Sequence, residues 1–219
     1  MNIALFGGTF DPVHSGHIAA AQAAQAAFSL DQILFIPARV PPHKRARHLT
    51  AFPHRHAMVA LACAGNFRFV PSILESRGEN QGEPNYSITT VRKLAAQMSH
   101  GDQLFFLIGA DAFLEIATWK EPVALLDAVH FIIVSRPGFA ITRAAGAIPP
   151  ELQPGAISDH CIQLRRTRIH LLTTVEADIS SSRIRELASR RQSLAGLVPE
   201  AVEEYIQKLS LYQNEDQSE

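Results

Sequence analysis

The sequence predicts an α/β fold built on a parallel sheet, and three consecutive segments near its start support that class. Residues 3–6 and 31–37 are short apolar runs with the length of buried strands, and the alanine-rich residues 18–28 between them have a helical composition. A helix that joins two neighbouring strands forms a βαβ unit, whose strands run parallel. At 219 residues the chain can bury a sizeable core in one domain. We expect that domain to span residues 1–212, followed by a disordered tail at 213–219.

The rest of the chain continues this alternation of strands and helices. Further strands are predicted at residues 67–70, 103–109, 128–134 and 169–172. Further helices are predicted at residues 52–64, 85–99, 114–119, 123–126, 179–188 and 199–211. Ser87 is a candidate N-cap for the helix at 85–99. Residues 141–166 carry several prolines and glycines without strong periodicity, so we expect an irregular insertion there.

Composition and charge exclude several functional classes. The chain is 47% hydrophobic with a formal net charge of −1, which argues against a general binder of nucleic acids or of anionic membranes. The first residues lack the features of a signal peptide, and no apolar run approaches the length of a transmembrane helix. The two cysteines do not form a Cys-x-x-Cys pair. We therefore expect a cytoplasmic protein without nucleic-acid or membrane partners, and the sequence leaves a homo-oligomer open.

A glycine turn joins the first predicted strand to the first helix. Residues 7–17 read GGTFDPVHSGH. Glycines at this position let main-chain N–H groups approach an anion closely, and the positive end of the helix dipole adds to the same place. His14 and His17 lie three residues apart at the helix start and can face one phosphate group. Helix capping is the alternative for a single histidine, but the pair behind this turn favours a nucleotide-phosphate site.

The glycine turn resembles the opening motif of the bacterial nicotinate-mononucleotide adenylyltransferases, within the wider HxGH nucleotidyltransferases. Further blocks follow in the order of that family, over roughly residues 3–206: VPPHK at 40–44, YSITTV at 86–91, FLIGAD at 106–111 with Trp119, SRPGF at 135–139 and ISSSRIR at 179–185. The resemblance implies a Rossmann-like, doubly wound parallel sheet with a small C-terminal helical part. Ser87, Val91 and Ser182 are conservative departures, because the family has Thr, Leu and Thr there.

The resemblance also implies which residues bind each substrate. The ATP and phosphate set comprises Gly7, Gly8, Thr9, Phe10, His14, His17, His43, Lys44, Arg136, Ser181, Ser182 and Arg185. The nicotinate mononucleotide set comprises Tyr86, Ser87, Thr90, Gly109, Asp111 and Trp119. His17 is implied as the main catalytic residue, with His14 beside it. In physical terms, Gly109 permits close approach of a ligand, Asp111 can accept from ribose hydroxyls, and Trp119 can stack on a heteroaromatic ring.

The implied reaction transfers the adenylyl group of ATP to nicotinate mononucleotide, giving deamido-NAD and pyrophosphate in NAD biosynthesis. ATP and nicotinate mononucleotide are therefore the implied partners. Mg²⁺ is expected to arrive with ATP, with no tightly bound cofactor and no metal site built from protein side chains. The alternatives are a sister adenylyl- or cytidylyltransferase for another acceptor such as phosphopantetheine, and a non-catalytic nucleotide sensor. The blocks at 86–87 and 109–119 disfavour the first, and the intact histidine pair and Ser/Arg site disfavour the second.

Overall fold

All six strands predicted from the sequence form, and a seventh joins them at one edge of a single sheet. The computed structural model describes residues 1–41, 49–76, 84–135, 137–152, 154–173 and 179–213. In chain order, the strands of this part are β1 (Asn2–Gly8), β2 (Gln32–Pro37), β3 (Phe69–Pro71), β4 (Gln103–Gly109), β5 (His130–Val134), β6 (Cys161–Gln163) and β7 (Arg168–Leu172). The βαβ pattern of the sequence is therefore confirmed by the structure.

The strand order β3-β2-β1-β4-β5-β7-β6 contains a reversal next to the first strand. β1 pairs in parallel with both β2 and β4, for example through Gly7↔Ile36 and Phe6↔Leu107. The chain thus builds the sheet from β1 in one direction and then returns to build in the other. In open α/β sheets, ligands bind beyond the carboxyl ends of the strands at such a switch point. β6 runs antiparallel to β7, so the sheet is parallel except at this edge.

Helices flank the sheet within the described part of the chain. They are α1 (Ser15–Phe28), α2 (Phe52–Cys63), α3 (Ser87–Ala95), α4 (Ala110–Leu114), α5 (Pro122–Ala128), α6 (Ile141–Gly146), α7 (Ser181–Ser189) and α8 (Glu200–Lys208). Short 3₁₀ helices lie at Ile116–Thr118 and Pro150–Leu152. None of the helices described is long and apolar enough to cross a membrane. The predicted capping role of Ser87 is wrong, because Tyr86 occupies the N-cap position and Ser87 is the first residue of α3.

The hydrophobic core lies on both faces of the sheet, as alternation along the strands requires. On β1, Leu5 packs with the apolar residues of α3, α5 and α6, whereas Ala4 and Phe6 pack with those of α1, α2, α7 and α8. On β4, Phe106 belongs to the first face and Leu107 to the second. Helices therefore cover both faces, which is the doubly wound arrangement, and the C-terminal helices complete the second face.

The segment 141–166 differs from the irregular insertion that its composition suggests. It contains α6, the 3₁₀ helix at Pro150–Leu152 and the edge strand β6. Ile141 and Ile162 are 7% and 0% exposed and belong to the same hydrophobic cluster. Each of these short elements packs against the core through only a few apolar side chains. The sequence therefore shows no regular hydrophobic pattern over this segment.

Candidate active site

A cavity of about 490 Å³ opens at the carboxyl ends of β1 and β4, where the strand order reverses. Its lining includes nine of the residues predicted to bind substrate: Gly7, Gly8, Thr9, His14, His17, Tyr86, Ser87, Gly109 and Trp119. The first five come from β1, the glycine turn and α1, and the other four come from α3, β4 and the segment after α4. The structure therefore brings part of the ATP set and part of the mononucleotide set into one cavity.

The two histidines of the glycine turn stack on each other at the start of α1. Their ring centroids are 3.6 Å apart, with the ring planes inclined by 30°. The main-chain N–H of His14 donates a hydrogen bond of 3.2 Å to Nδ1 of His17. A nitrogen that accepts carries no proton, so the neutral His17 ring holds its proton on Nε2. The cap-like contact therefore makes His17 a hydrogen-bond donor through Nε2.

His14 is the more deeply buried of the pair. Only 8% of its surface is exposed, and burial lowers its pKa from 6.5 to about 4. The ring is therefore neutral at physiological pH. Its Nδ1 is buried and has no hydrogen-bond partner within the described part of the chain. Because His14 lines the cavity, a polar group of a bound ligand is a suitable partner for this atom.

Phe10, a member of the predicted phosphate set, lies beneath the site and is not part of the cavity lining. Its side chain is 2% exposed, and its ring meets that of His17 edge-on with 5.0 Å between centroids. Its φ of 47° is uncommon for a bulky residue and belongs to a sharp turn. A Cβ at Gly8 would lie 3.0 Å from the Phe10 ring, so a larger residue there would have to displace that ring by a few tenths of an ångström. The turn thus packs an aromatic support under the His17 ring.

Arg55 is a buried neighbour of the site that was not predicted from the sequence. It lies on α2 and is 1% exposed. Its guanidinium donates to the carbonyl oxygens of Thr50 at 2.8 Å, Thr9 at 2.7 Å, Ala38 at 2.8 Å and Arg39 at 3.4 Å. Because Thr9 and Ala38 both line the cavity, Arg55 ties two of its walls together from behind. An arginine between two histidines at a helix start gives no signal of such burial.

The start of α7 packs against the glycine turn and does not contribute to the cavity lining. The Ser181 hydroxyl donates to the carbonyl of Pro12 at 3.0 Å. Arg185 donates through Nη1 to the carbonyl of Asp11 at 2.6 Å and through Nη2 to Oγ of Ser182 at 3.3 Å. The predicted serine and arginine site is therefore adjacent to the turn that carries the histidines.

Aromatic side chains form the other end of the cavity. Trp119 meets Phe106 edge-on with 6.1 Å between ring centroids. Nζ of Lys120 lies 4.5 Å from the centroid of the Tyr86 ring, and both residues line the cavity. Ser87, also in the lining, is the first residue of α3, so a helix N-terminus borders this end. The partial positive charge of that terminus favours an anionic group.

Among the described residues, Thr90 and Asp111 were also predicted to bind substrate and do not belong to the cavity lining. Thr90 is buried and donates to Oε1 of Glu75 at 2.6 Å, and Glu75 is itself part of the lining. Burial raises the pKa of Glu75, and the Thr90 hydrogen bond opposes that rise. Asp111 is exposed in the first turn of α4. Three further predicted residues lie outside the described part of the chain: His43, Lys44 and Arg136.

The switch-point cavity, with a glycine turn and stacked histidines at one end and aromatic rings at the other, defines a nucleotide-binding α/β protein. The model of the family described as cytidylyltransferase-like matches residues 5–187. A protein of Geobacter sp. (strain M21), named "Probable nicotinate-nucleotide adenylyltransferase", is 39% identical over 219 residues, 97% of this chain and 98% of its own length. A protein of the same name from Solibacter usitatus (strain Ellin6076) is 41% identical over 202 residues, 92% of each chain. The chain therefore belongs to the cytidylyltransferase-like family and groups there with relatives of that name.

A solved structure shares the fold. It is the nicotinic acid mononucleotide adenylyltransferase of Plasmodium falciparum complexed with NaAD, with a TM-score of 0.73 and 20% sequence identity. The match covers 96% of this chain and 97% of the other. The Rossmann-like fold expected from the sequence is thus confirmed over nearly the whole chain.

Proposed function

We propose that the protein is a nicotinate-nucleotide adenylyltransferase. It transfers the adenylyl group of ATP to nicotinate mononucleotide, forming nicotinate adenine dinucleotide and pyrophosphate for NAD biosynthesis. The main observation behind this proposal is that one cavity has the histidine pair at one end and Trp119 and Tyr86 at the other. The names of the relatives, at 39% and 41% identity over almost the full chain, support the same reaction.

The chemistry needs positioning more than acid or base catalysis. A phosphate oxygen of the mononucleotide attacks the α-phosphorus of ATP, and a new P–O bond forms. The bond from the α-phosphorus to the bridging oxygen breaks, and its electron pair leaves with pyrophosphate. Because the attacking phosphate is already anionic, no residue has to remove a proton from it. The protein contributes alignment of the two substrates and stabilisation of the charge that develops.

We assign the stabilisation of that charge to the histidine end of the cavity. In the neutral ring Nε2 of His17 carries the proton, because Nδ1 accepts from the His14 N–H. The start of α1 adds a positive dipole end at the same place. His14 is neutral, so it acts as a hydrogen-bonding group without adding charge. For the serine and arginine site at α7, we propose contacts to the polyphosphate.

We assign the pyridine ring and its carboxylate to the aromatic end. Trp119 and Tyr86 offer flat faces for the ring. The N-terminus of α3 at Ser87 and the ammonium group of Lys120 both favour an acid over a neutral amide. These assignments predict that nicotinate mononucleotide is preferred over nicotinamide mononucleotide.

Mg²⁺ is proposed to enter with ATP, where it neutralises charge on the phosphates. The described residues include no group of three or more His, Cys, Asp or Glu side chains that could hold a metal ion. We accordingly assign it no ligand among them. The single domain over residues 1–212 and the cytoplasmic location remain predictions.

The test measures pyrophosphate release by the purified protein with Mg-ATP and either nicotinate or nicotinamide mononucleotide. We expect strong preference for the acid, and loss of at least about a hundredfold in kcat for His17→Ala, as for other removed transition-state donors. The matched control is His100→Ala, because His100 is exposed and is not part of the cavity lining. Release only with phosphopantetheine would replace this proposal with the sister activity. Nucleotide binding without release from any acceptor would indicate a sensor.

A further inference from the structure

Asp11 is a buried carboxylate in the glycine turn, and both of its oxygens are hydrogen-bonded. Only 3% of its surface is exposed. Oδ1 accepts from the hydroxyl of Tyr212 at 2.8 Å, and Oδ2 accepts from the main-chain N–H of Thr50 at 3.2 Å. Burial of a carboxylate is costly unless its oxygens are paired in this way. The conformation of the turn therefore depends on these two donors.

Tyr212 reaches this turn from the opposite end of the chain. It lies 201 residues beyond Asp11 in sequence, just after α8 ends at Lys208. Its ring packs against the hydrophobic cluster on the α1 and α8 face of the sheet. Burial, and then the nearby Asp11 charge, raise the pKa of the Tyr212 hydroxyl, so this group stays protonated and donates. The segment after α8 is thus held against the glycine turn.

We propose that Tyr212 is a positioning residue for adenylyl transfer, holding Asp11 so that the glycine turn presents His14 and His17 in register with the phosphates. This inference rests on the proposed function. Asp11 directly follows Phe10, whose ring supports His17, and precedes His14 by three residues. Loosening Asp11 therefore displaces both histidines together.

The position of Asp11 predicts which kinetic constant changes. The contacts of Asp11 lead to the segment after α8, to α7 and to the residues just before α2. The aromatic end of the cavity is built from other elements, namely α3, β4 and the segment that carries Trp119. Removing the Tyr212 hydroxyl should consequently lower kcat and leave the KM for nicotinate mononucleotide nearly unchanged. A loss of general stability would not produce this separation.

The experiment compares Tyr212→Phe with Tyr205→Phe in the full-length protein. The matched control loses a hydroxyl of the same kind, because the Tyr205 hydroxyl contacts Nδ1 of His54 at 3.0 Å. We expect Tyr212→Phe to lower kcat about tenfold, on the scale of small misplacements of catalytic groups, with a KM for the mononucleotide within about twofold. Tyr205→Phe should keep kcat within about twofold at a similar melting temperature. Equal kcat values for the two variants would overturn the proposal.

Hydrogen exchange supplies a readout that needs no turnover. Amides of residues 9–14 should exchange faster in Tyr212→Phe than in wild type, and Tyr205→Phe should leave them unchanged. The double variant Asp11→Ala with Tyr212→Phe should have the kcat of Asp11→Ala alone, because Asp11→Ala already removes the acceptor of the Tyr212 hydroxyl. If wild type releases no pyrophosphate, the proposed function fails, and exchange still decides whether Tyr212 holds the turn. Unchanged exchange in Tyr212→Phe would refute the positioning role.

Discussion

Replacing Arg55 with methionine should destabilise the protein strongly, because it leaves main-chain carbonyls without their hydrogen-bond donor. Within the described residues, all side-chain hydrogen bonds of Arg55 go to main-chain oxygens. Three of these bonds, of 2.7 and 2.8 Å, go to Thr9, Ala38 and Thr50. A hydrogen bond from a charged donor contributes about 1.5–3 kcal/mol, so three give roughly 5–9 kcal/mol. Methionine also relieves the desolvation of a buried charge, an offset of several kcal/mol. We expect a net loss of about 3–5 kcal/mol, a large part of the stability of an ordinary domain.

Urea denaturation followed by circular dichroism measures this loss, provided that the transition is two-state. Arg68→Met is the matched control, because Arg68 is only half-buried and donates one side-chain hydrogen bond, of 3.1 Å, to the carbonyl of Leu30. We expect about 1 kcal/mol there. Arg55→Lys should lie between wild type and Arg55→Met, since it keeps the charge but not the planar set of donors. A loss below about 1 kcal/mol for Arg55→Met would refute the reasoning that the buried carbonyls depend on this donor.

Two further predictions concern pH and substrate choice. The pKa of His14 falls from 6.5 to about 4 on folding, so the unfolded state binds more protons between these pH values. The free energy of unfolding therefore decreases as pH falls from about 6.5 toward 4, by about 3 kcal/mol in all. His14→Asn should remove this part of the pH dependence of stability, measured by urea denaturation between about pH 7 and 4.5. If the free energies of unfolding of wild type and His14→Asn fell in parallel with pH, the prediction would be wrong. Lys120→Met should lower the ratio of kcat/KM for the acid over the amide about threefold, since its exposed charge beside Tyr86 is screened by solvent. Lys208→Met, on α8, is the control, and an unchanged ratio in Lys120→Met would exclude a role of its charge.

Much of the fold could be predicted from the sequence because its strands are buried on both faces. β4 reads QLFFLIG, and five of its seven residues are buried, so a continuous apolar run marks it without ambiguity. The glycine turn was equally predictable, since consecutive glycines between a strand and a helix are typical of a tight turn. At Gly8 the structure adds a packing reason, because a side chain there would press on the Phe10 ring.

The features that could not be predicted depend on contacts between distant parts of the chain. The burial of Arg55 follows from carbonyls that converge from three segments, and no local pattern encodes that convergence. The link from Tyr212 to Asp11 joins residues at the two ends of the sequence. Ser87 has the side chain of an N-cap, yet Tyr86 takes that position and Ser87 lines the cavity. The intrinsic preference of serine for the N-cap position is overridden here by the tertiary structure.

The arrangement of the sheet explains how one cavity can align two substrates without a strong base. β1 and β4 are neighbours, and their pairing ends at Phe6↔Leu107. Gly8 and Gly109 each lie two residues beyond that pair, so the glycine turn and the aromatic end of the cavity begin from adjacent, hydrogen-bonded strands. Their separation is therefore set by the sheet, while Arg55 and Tyr212 hold the turn from behind through Thr9 and Asp11. For a reaction whose rate depends on in-line alignment, residues that never touch substrate should therefore also lower kcat when they are replaced.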